Sequence, residues 1–194
     1  MVGKMKLRSW LNSHYRFLTD EDLDLFSPYL IERTFEKEEY VLTPGSCCRE
    51  MSFVTSGVYR MFYLAEGKEI NVHFFFDDHF MVDYGSFLHQ TPSRFFIQAI
   101  ERSEAVSFDH EVLWRAYDQS KNWERFGRLM AELCSAMVTD RLEMFLFMDG
   151  KERYLQLMRD NPGIFDKLPL YHLASYLGME RESLSRIRQR ISRS

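Results

Sequence analysis

The sequence predicts an α+β protein: an antiparallel β-roll with flanking helices, then one long helix, then a compact unit of three short helices. Three observations carry this. Short β-prone runs, broken by Pro44-Gly45, Ser56-Gly57, Glu66-Gly67 and Asp77-Asp78, recur at intervals of roughly ten residues from Thr34 to Phe108. Apolar residues then fall at helical spacing, without an internal proline, from Asn122 to Met148. Finally, Gly150 and Asn161-Pro162-Gly163 divide what remains into short helical stretches. The 194 residues are 45% apolar and 15% aromatic, enough for a packed core.

Taken in order, residues 12–33 read as helical, one helix or a pair. Thr19 is the expected N-cap ahead of Asp20, Glu21 and Asp22, and Leu23, Phe26 and Leu30 follow at helical spacing. Strands are predicted over Met51–Val54, Val58–Leu64 and Ile70–Phe76, with more between Phe95 and Val106. A short helical excursion over Asp83–Leu88 and a turn at Thr91-Pro92-Ser93 interrupt them.

In the long helix, Trp123, Met130, Met137 and Met144 fall seven apart, with Phe126 and Leu133 three residues after the first two. That is an a/d pattern over about two heptads, broken by Asp140. Periodicity alone leaves two readings open: a helix packed on its own domain, or one pairing with its twin across a dimer axis. The expected domains are 1–121 for the roll, 122–149 for the long helix and 150–194 for the C-terminal unit.

A formal net charge of −4 hides a division along the chain. From Lys151 onward there are nine Lys or Arg against five Asp or Glu, a balance of +4 that leaves −8 for the first 150 residues. The last sixteen residues hold five Arg and two acids, so any phosphate-binding surface is expected at the C-terminus. No apolar stretch approaches the eighteen or so residues that span a bilayer, and Met1–Trp10 lacks the apolar run of a secretory signal. A cytoplasmic protein with no membrane partner is expected. Cys47, Cys48 and Cys134 have no metal-ligand spacing and read as reduced thiols.

Leu170–Ile187 has the pattern of a helix-turn-helix. Ala174 is small where a second helix would cross, and Gly178 can take the left-handed conformation that ends the first helix. Leu173, Leu177, Leu184 and Ile187 fall where they would face inward, and Pro169 suits the first turn. On the second helix, Arg181, Glu182, Ser185, Arg186 and Gln189 project on one side. Arginine pairs with guanine O6 and N7 and glutamate accepts from cytosine N4, each good pair discriminating by roughly 1–3 kcal/mol. Ser183, Arg188, Arg190 and Arg193 suit phosphates. The partner this predicts is double-stranded DNA; the bland alternative is a solvated basic helix.

With that motif, the chain resembles the Crp/Fnr family of transcription regulators over nearly its whole length. Phe53-Val-Thr-Ser-Gly57-Val-Tyr-Arg60 and Tyr40-Val-Leu-Thr-Pro-Gly45 are similar to two segments of the family's cyclic-nucleotide-binding-like roll. Arg181, Glu182 and Arg186 fall on the family's base-contacting positions, and Ser185 on one used by a subgroup. The resemblance implies a homodimer paired along Asn122–Met148 through Trp123, Phe126, Met130, Leu133, Met137 and Met144, with RNA polymerase as a further partner.

Three departures limit what the resemblance implies. The family's cyclic-nucleotide cassette places a Gly, a ribose-bonding Glu and a phosphate-pairing Arg where this chain has Val82, Asp83 and Ser93. Arg94 is one residue late, and on a strand that offset turns a side chain to the other face. An unpaired buried phosphate costs several kcal/mol, which argues against cyclic AMP. An effector site is expected only as a place, beside the Asp83–Leu88 excursion, lined by Phe74, Phe76, Val82, Asp83, Tyr84, Ser93 and Arg94. Its aromatics could equally fill the roll. The cysteines of an iron-sulfur subgroup are absent, and the sequence ends at Ser194 without the usual β-hairpin wing.

The leading reading is a homodimeric DNA-binding regulator with an effector-sensing roll. The alternative is a small-molecule sensor whose C-terminal unit contacts a protein. An enzyme is not expected, because His14, His73, His79, His89, His110 and His172 are dispersed and no paired carboxylates or nucleophile-base arrangement stands out.

Overall fold

In the computed structural model, which describes residues 2–191, the N-terminal region departs from the single helical stretch expected over 12–33. Helix α1 (Val2–His14) starts earlier and buries Leu7 and Leu11, and α2 (Asp20–Phe26) follows after a break. Thr19 caps α2 as expected. Its hydroxyl accepts from the Asp22 amide and the Asp22 carboxylate accepts from the Thr19 amide at 2.8 Å. A single 3₁₀ turn, Ser27–Tyr29, with Pro28 in its first positions, then ends the helical run, and the backbone turns extended at Leu30. Residues Ile31–Phe35 form a strand instead, β1.

The remaining strands are β2 (Tyr40–Leu42), β3 (Glu50–Ser56), β4 (Tyr59–Ala65), β5 (Lys68–Phe75), β6 (Phe80–Met81), β7 (Phe96–Ala99) and β8 (Ser103–Asp109). They form two four-stranded sheets, ordered β1-β8-β3-β6 and β2-β7-β4-β5. Phe53 stands opposite Val106 on one side and Phe80 on the other, which fixes the register around a fully buried aromatic. Met51 to Val54 are buried without alternation, the pattern of a strand covered on both faces. The β4–β5 connection is a two-residue turn with Glu66 at φ 52° and Gly67 at φ 77°. Two positive φ values in succession match the twist of a tight hairpin, which is why Glu-Gly reads as a turn.

Helix α3 (Tyr84–His89) is the expected excursion, with Asp83 as its N-cap. Helix α4 (His110–Gln119), capped by Asp109, was not expected; its cap and the buried Val112, Leu113 and Ala116 were the available signal. It leads into the long helix α5 (Lys121–Phe147). Beyond α5 come α6 (Gly150–Asp160), a short α7 (Ile164–Lys167) not foreseen in the sequence, α8 (Leu170–Tyr176) and α9 (Arg181–Ile191).

Two compact units result. One runs from the N-terminal helices to Met61 and resumes over Phe74–Cys134; the other joins the hairpin tip Phe62–His73 to the residues from Ser135 on. In the first, Trp123, Phe126 and Met130 are almost fully buried. The Trp123 ring lies 4.5 Å from Phe26 and its Nε1 donates to the Asp22 carbonyl at 2.9 Å. Phe126 packs against Tyr15 and Phe80, at 5.0 and 5.8 Å between ring centroids. These three residues, expected along a dimer seam, are buried in their own unit, where Tyr15 after α1, Phe26 of α2 and Phe80 of β6 supply aromatic partners the heptad pattern could not reveal. Leu133 and Met137 are exposed, and Met144 is half-buried.

In the second unit, Tyr154, Leu157, Ile164, Leu168, Leu173, Ala174, Leu177 and Leu184 form the core. Asp149 caps α6 in a capping box with Glu152.

Candidate nucleic-acid interface and effector cassette

The α8–α9 connection is built as the sequence suggests. Leu173, Leu177 and Leu184 are fully buried and Ala174 nearly so, which lets the two helices approach closely. Gly178 has φ +65°, its amide donates to the Ser175 carbonyl at 3.1 Å, and the Met179 amide donates to the Ala174 carbonyl at 3.0 Å. That pair of bonds is a Schellman motif, which satisfies the last carbonyls of α8 and turns the chain sharply. A side chain at 178 would also meet the Phe145 ring at 2.6 Å.

Two arginines complete the brace. Arg153 Nε donates to the Leu177 carbonyl at 2.9 Å, and Arg141 Nη2 to the Tyr176 carbonyl at 2.6 Å. Cations at a helix C-terminus are favoured by the helix dipole. Burial lowers the pKa of the Arg141 guanidinium, partly offset by the Tyr176 interactions. Sequence reasoning missed both residues, since their partners are backbone carbonyls that carry no residue-type signal.

On α9, the inward positions 184, 187 and 191 lie opposite the face carrying Arg181, Glu182, Ser185, Arg186 and Gln189. Arg181, Glu182, Arg186 and Gln189 are exposed and Ser185 half-buried. Arg181 makes no hydrogen bond or ion pair among the described residues. Arg186 reaches only its own helix, the Glu182 carbonyl and the Ser183 hydroxyl, each at 3.4 Å. Contacts that long and local leave the guanidinium available. Of the expected phosphate-binding side chains, Arg190 is exposed, Ser183 is half-buried, and Arg188 is exposed with its guanidinium 4.8 Å from the Phe165 ring. Arg193 lies outside the described residues.

The segment expected to border an effector site closes on itself. Asp83 and Ser93, at the positions of the family's Glu and Arg, are both buried, and the Ser93 hydroxyl donates to Asp83 Oδ2 at 2.7 Å. The Phe95 amide donates to Ser93 Oγ at 2.9 Å, and the other Asp83 oxygen accepts from the Ser86 amide. Arg94 is exposed. Phe74 is buried, while Phe76 and Val82 are half-buried. Tyr84 instead lines a cleft of about 230 Å³ with Phe87, Trp114, Tyr117 and Gly127, and burial raises the pKa of its phenol. Of the residues expected to line one pocket, Asp83 and Ser93 are joined by a hydrogen bond.

Among the described residues no helix is long and apolar enough to cross a membrane, and no group of three His, Cys, Asp or Glu is placed to hold a metal ion.

Residues 32–120 match the family model of the cyclic nucleotide-binding domain. Nothing among curated protein sequences matches significantly. Among solved structures the chain is similar to FixK2 from Bradyrhizobium japonicum, with a TM-score of 0.72 and 18% identity, covering 84% of each chain. It is similar to a regulator of the Crp/Fnr family from Eubacterium rectale, with a TM-score of 0.69 and 17% identity over 92% of this chain and 85% of that one. The c-di-GMP-responsive global regulator CLP of Xanthomonas campestris gives 0.69 and 16%, over 90% and 92%. The resemblance to Crp/Fnr regulators therefore stands at the level of the whole fold: an antiparallel roll, a long helix and C-terminal helices.

Proposed function

We propose, from the premise that a cyclic nucleotide-binding domain here precedes C-terminal helices in the Crp/Fnr fold, that this chain is a homodimeric DNA-binding transcription regulator. The observation that carries the reading is the exposed face of α9. Arg181 and Arg186 are held by the buried α8 brace yet make no ion pair with the body of the protein. Two such helices, one from each copy, would enter successive major grooves about 34 Å apart on a roughly palindromic site. The roll is the effector-sensing part, and the closed Asp83–Ser93 pair supports an effector other than a cyclic nucleotide.

Selection on random duplexes tests the reading. The expected result is salt-sensitive binding below micromolar protein to one preferred site. Arg186→Ala is expected to cost roughly 1–3 kcal/mol and relax one base position, whereas Arg190→Ala weakens all sequences alike and lowers the salt dependence. Absence of any salt-sensitive binding overturns it.

A further inference from the structure

We propose that the tip of the β4–β5 hairpin is a polar clamp on α8 that fixes the direction in which α9 is presented, and so sets the fit of a dimer to two half-sites. The inference rests on α9 being the DNA reader.

Strand β5 ends the second sheet, so one side of its backbone faces no strand. An open strand edge needs covering. Ser175 of α8 covers it: the Asn71 amide donates to Ser175 Oγ at 3.0 Å, and that hydroxyl donates to the Glu69 carbonyl at 2.7 Å. One hydroxyl thus takes the place of a neighbouring strand's amide and carbonyl.

The contact is buried and broader than one side chain. Asn71 is 1% exposed, and its Nδ2 reaches the His172 carbonyl at 3.4 Å. Arg141 Nη2 bonds the Tyr176 carbonyl and extends to the Asn71 carbonyl at 3.4 Å, with its guanidinium 3.8 Å from the Tyr176 ring. Lys68 pairs with Glu180, the residue before α9, at 3.0 Å. On α8, His172, Ser175 and Tyr176 lie at i, i+3 and i+4, so they form one face. Leu173, Ala174 and Leu177 form the buried face. The helix that braces the reader is therefore gripped on one side by the hairpin while its other side holds α9.

The grip is made for release. It consists of hydrogen bonds and one exposed ion pair, and two atoms at its centre, Asn71 Oδ1 and Arg141 Nη1, are buried without a partner. Strands β4 and β5 continue into the tip from the roll, so displacement of those strands reaches α8 through Ser175 and Asn71. In the gripped state α9 stays exposed, which makes the clamp a positioning contact and not an occluding one.

The test uses the full-length Ser175→Ala and Asn71→Ser variants, with duplexes carrying either two half-sites or one, taken from the selection above. Each variant is expected to lose about tenfold on the two-site duplex, in line with losing one or two hydrogen bonds. Binding to the single half-site should change less than about twofold. Amide exchange should accelerate at Asn71 and remain slow over the buried residues 123–130. Equal losses on both duplexes, or unchanged exchange at Asn71, overturn the clamp. If the wild-type protein binds neither duplex, the DNA-reading proposal fails while the exchange measurement still decides whether the hairpin holds α8.

Discussion

Replacing Gly178 with alanine isolates the turn on which the α9 geometry depends. Two costs are added. An L-residue at φ +65° gives up roughly 1–2 kcal/mol to the clash of its Cβ with backbone. That Cβ would also lie 2.6 Å from Phe145 Cε1 and 3.3 Å from Cζ, so the ring must shift, an overpacking cost of roughly 1–3 kcal/mol. A shift of Phe145 also disturbs its contacts with the Arg141 and Arg153 guanidinium groups, which lie 4.8 and 5.1 Å from the ring. The expected total is about 2–5 kcal/mol, read by urea unfolding followed by circular dichroism. A double-mutant cycle separates the parts. In a Phe145→Ala background the steric obstacle is gone, and Gly178→Ala should cost only the backbone share, roughly 1–2 kcal/mol. A cost below about 0.5 kcal/mol in the wild-type background, or the same cost in both backgrounds, would refute the reasoning.

Three further outcomes are expected. Burial alone would raise the pKa of the Asp22 carboxyl, but hydrogen bonds from Ser120, the Thr19 backbone and Asn122 outweigh it and hold it below the usual value. A depressed folded pKa gives stability that is present above the unfolded value and is lost as pH falls through the folded one. Unfolding free energy should thus drop below about pH 4, and Asp22→Asn should flatten that drop while costing roughly 1–3 kcal/mol at pH 7. Calorimetric titration with cyclic AMP and cyclic GMP should show no saturable binding at micromolar concentrations, and a micromolar Kd would mean that the Asp83–Ser93 bond opens to admit a phosphate. Leu142 is 57% exposed, so Leu142→Glu should leave the chain folded, by circular dichroism, while sedimentation shows it as monomer where the wild type is dimer.

What the sequence revealed followed from local chemistry. The Thr19 cap, the Glu66-Gly67 turn, the short helix after Val82 and the bounds of α9 all depend on residues within a few positions of one another, and the structure has each. The misreadings required partners far away in the chain. Residues 31–33 read as a continuation of the helical stretch but belong to a strand because β8 is there to pair, with Arg33 opposite Ala105. Trp123 and Phe126 fit a dimer heptad, yet Asp22, Phe26, Tyr15 and Phe80 enclose them from about 40 to 110 residues away. The missing cyclic-phosphate arginine could be read from Ser93 alone. That Ser93 would then satisfy Asp83 could not, since ten residues and a helix separate them. The contact between Ser175 and Asn71 was invisible for the same reason: 104 residues separate the two, and nothing in the helix-turn-helix pattern around Ser175 points to a strand.

The heptad in α5 serves two purposes along its length, and this bears on what the isolated chain can be. Its first turns are spent on the core of one unit, where Trp123, Phe126 and Met130 are enclosed. From Leu133 onward the balance reverses: Leu133, Met137, Val138, Leu142, Phe145, Leu146 and Phe147 are between 41% and 77% exposed. Scattered apolar side chains on a surface need no explanation, but seven so exposed within fifteen residues of one helix is a dense exposure of apolar area. At 1.5 Å per residue that stretch is roughly 22 Å long, enough for about two heptads of helix pairing. Since the chain's own core has claimed the earlier heptads, the dimer proposed above would use this half of the helix. It also lies next to Arg141 and Phe145, which brace α8 and Gly178. Pairing along this half of α5 would therefore constrain the same side chains that hold the reading helix, so that association and presentation of α9 are coupled through Arg141 and Phe145 and not through the roll alone.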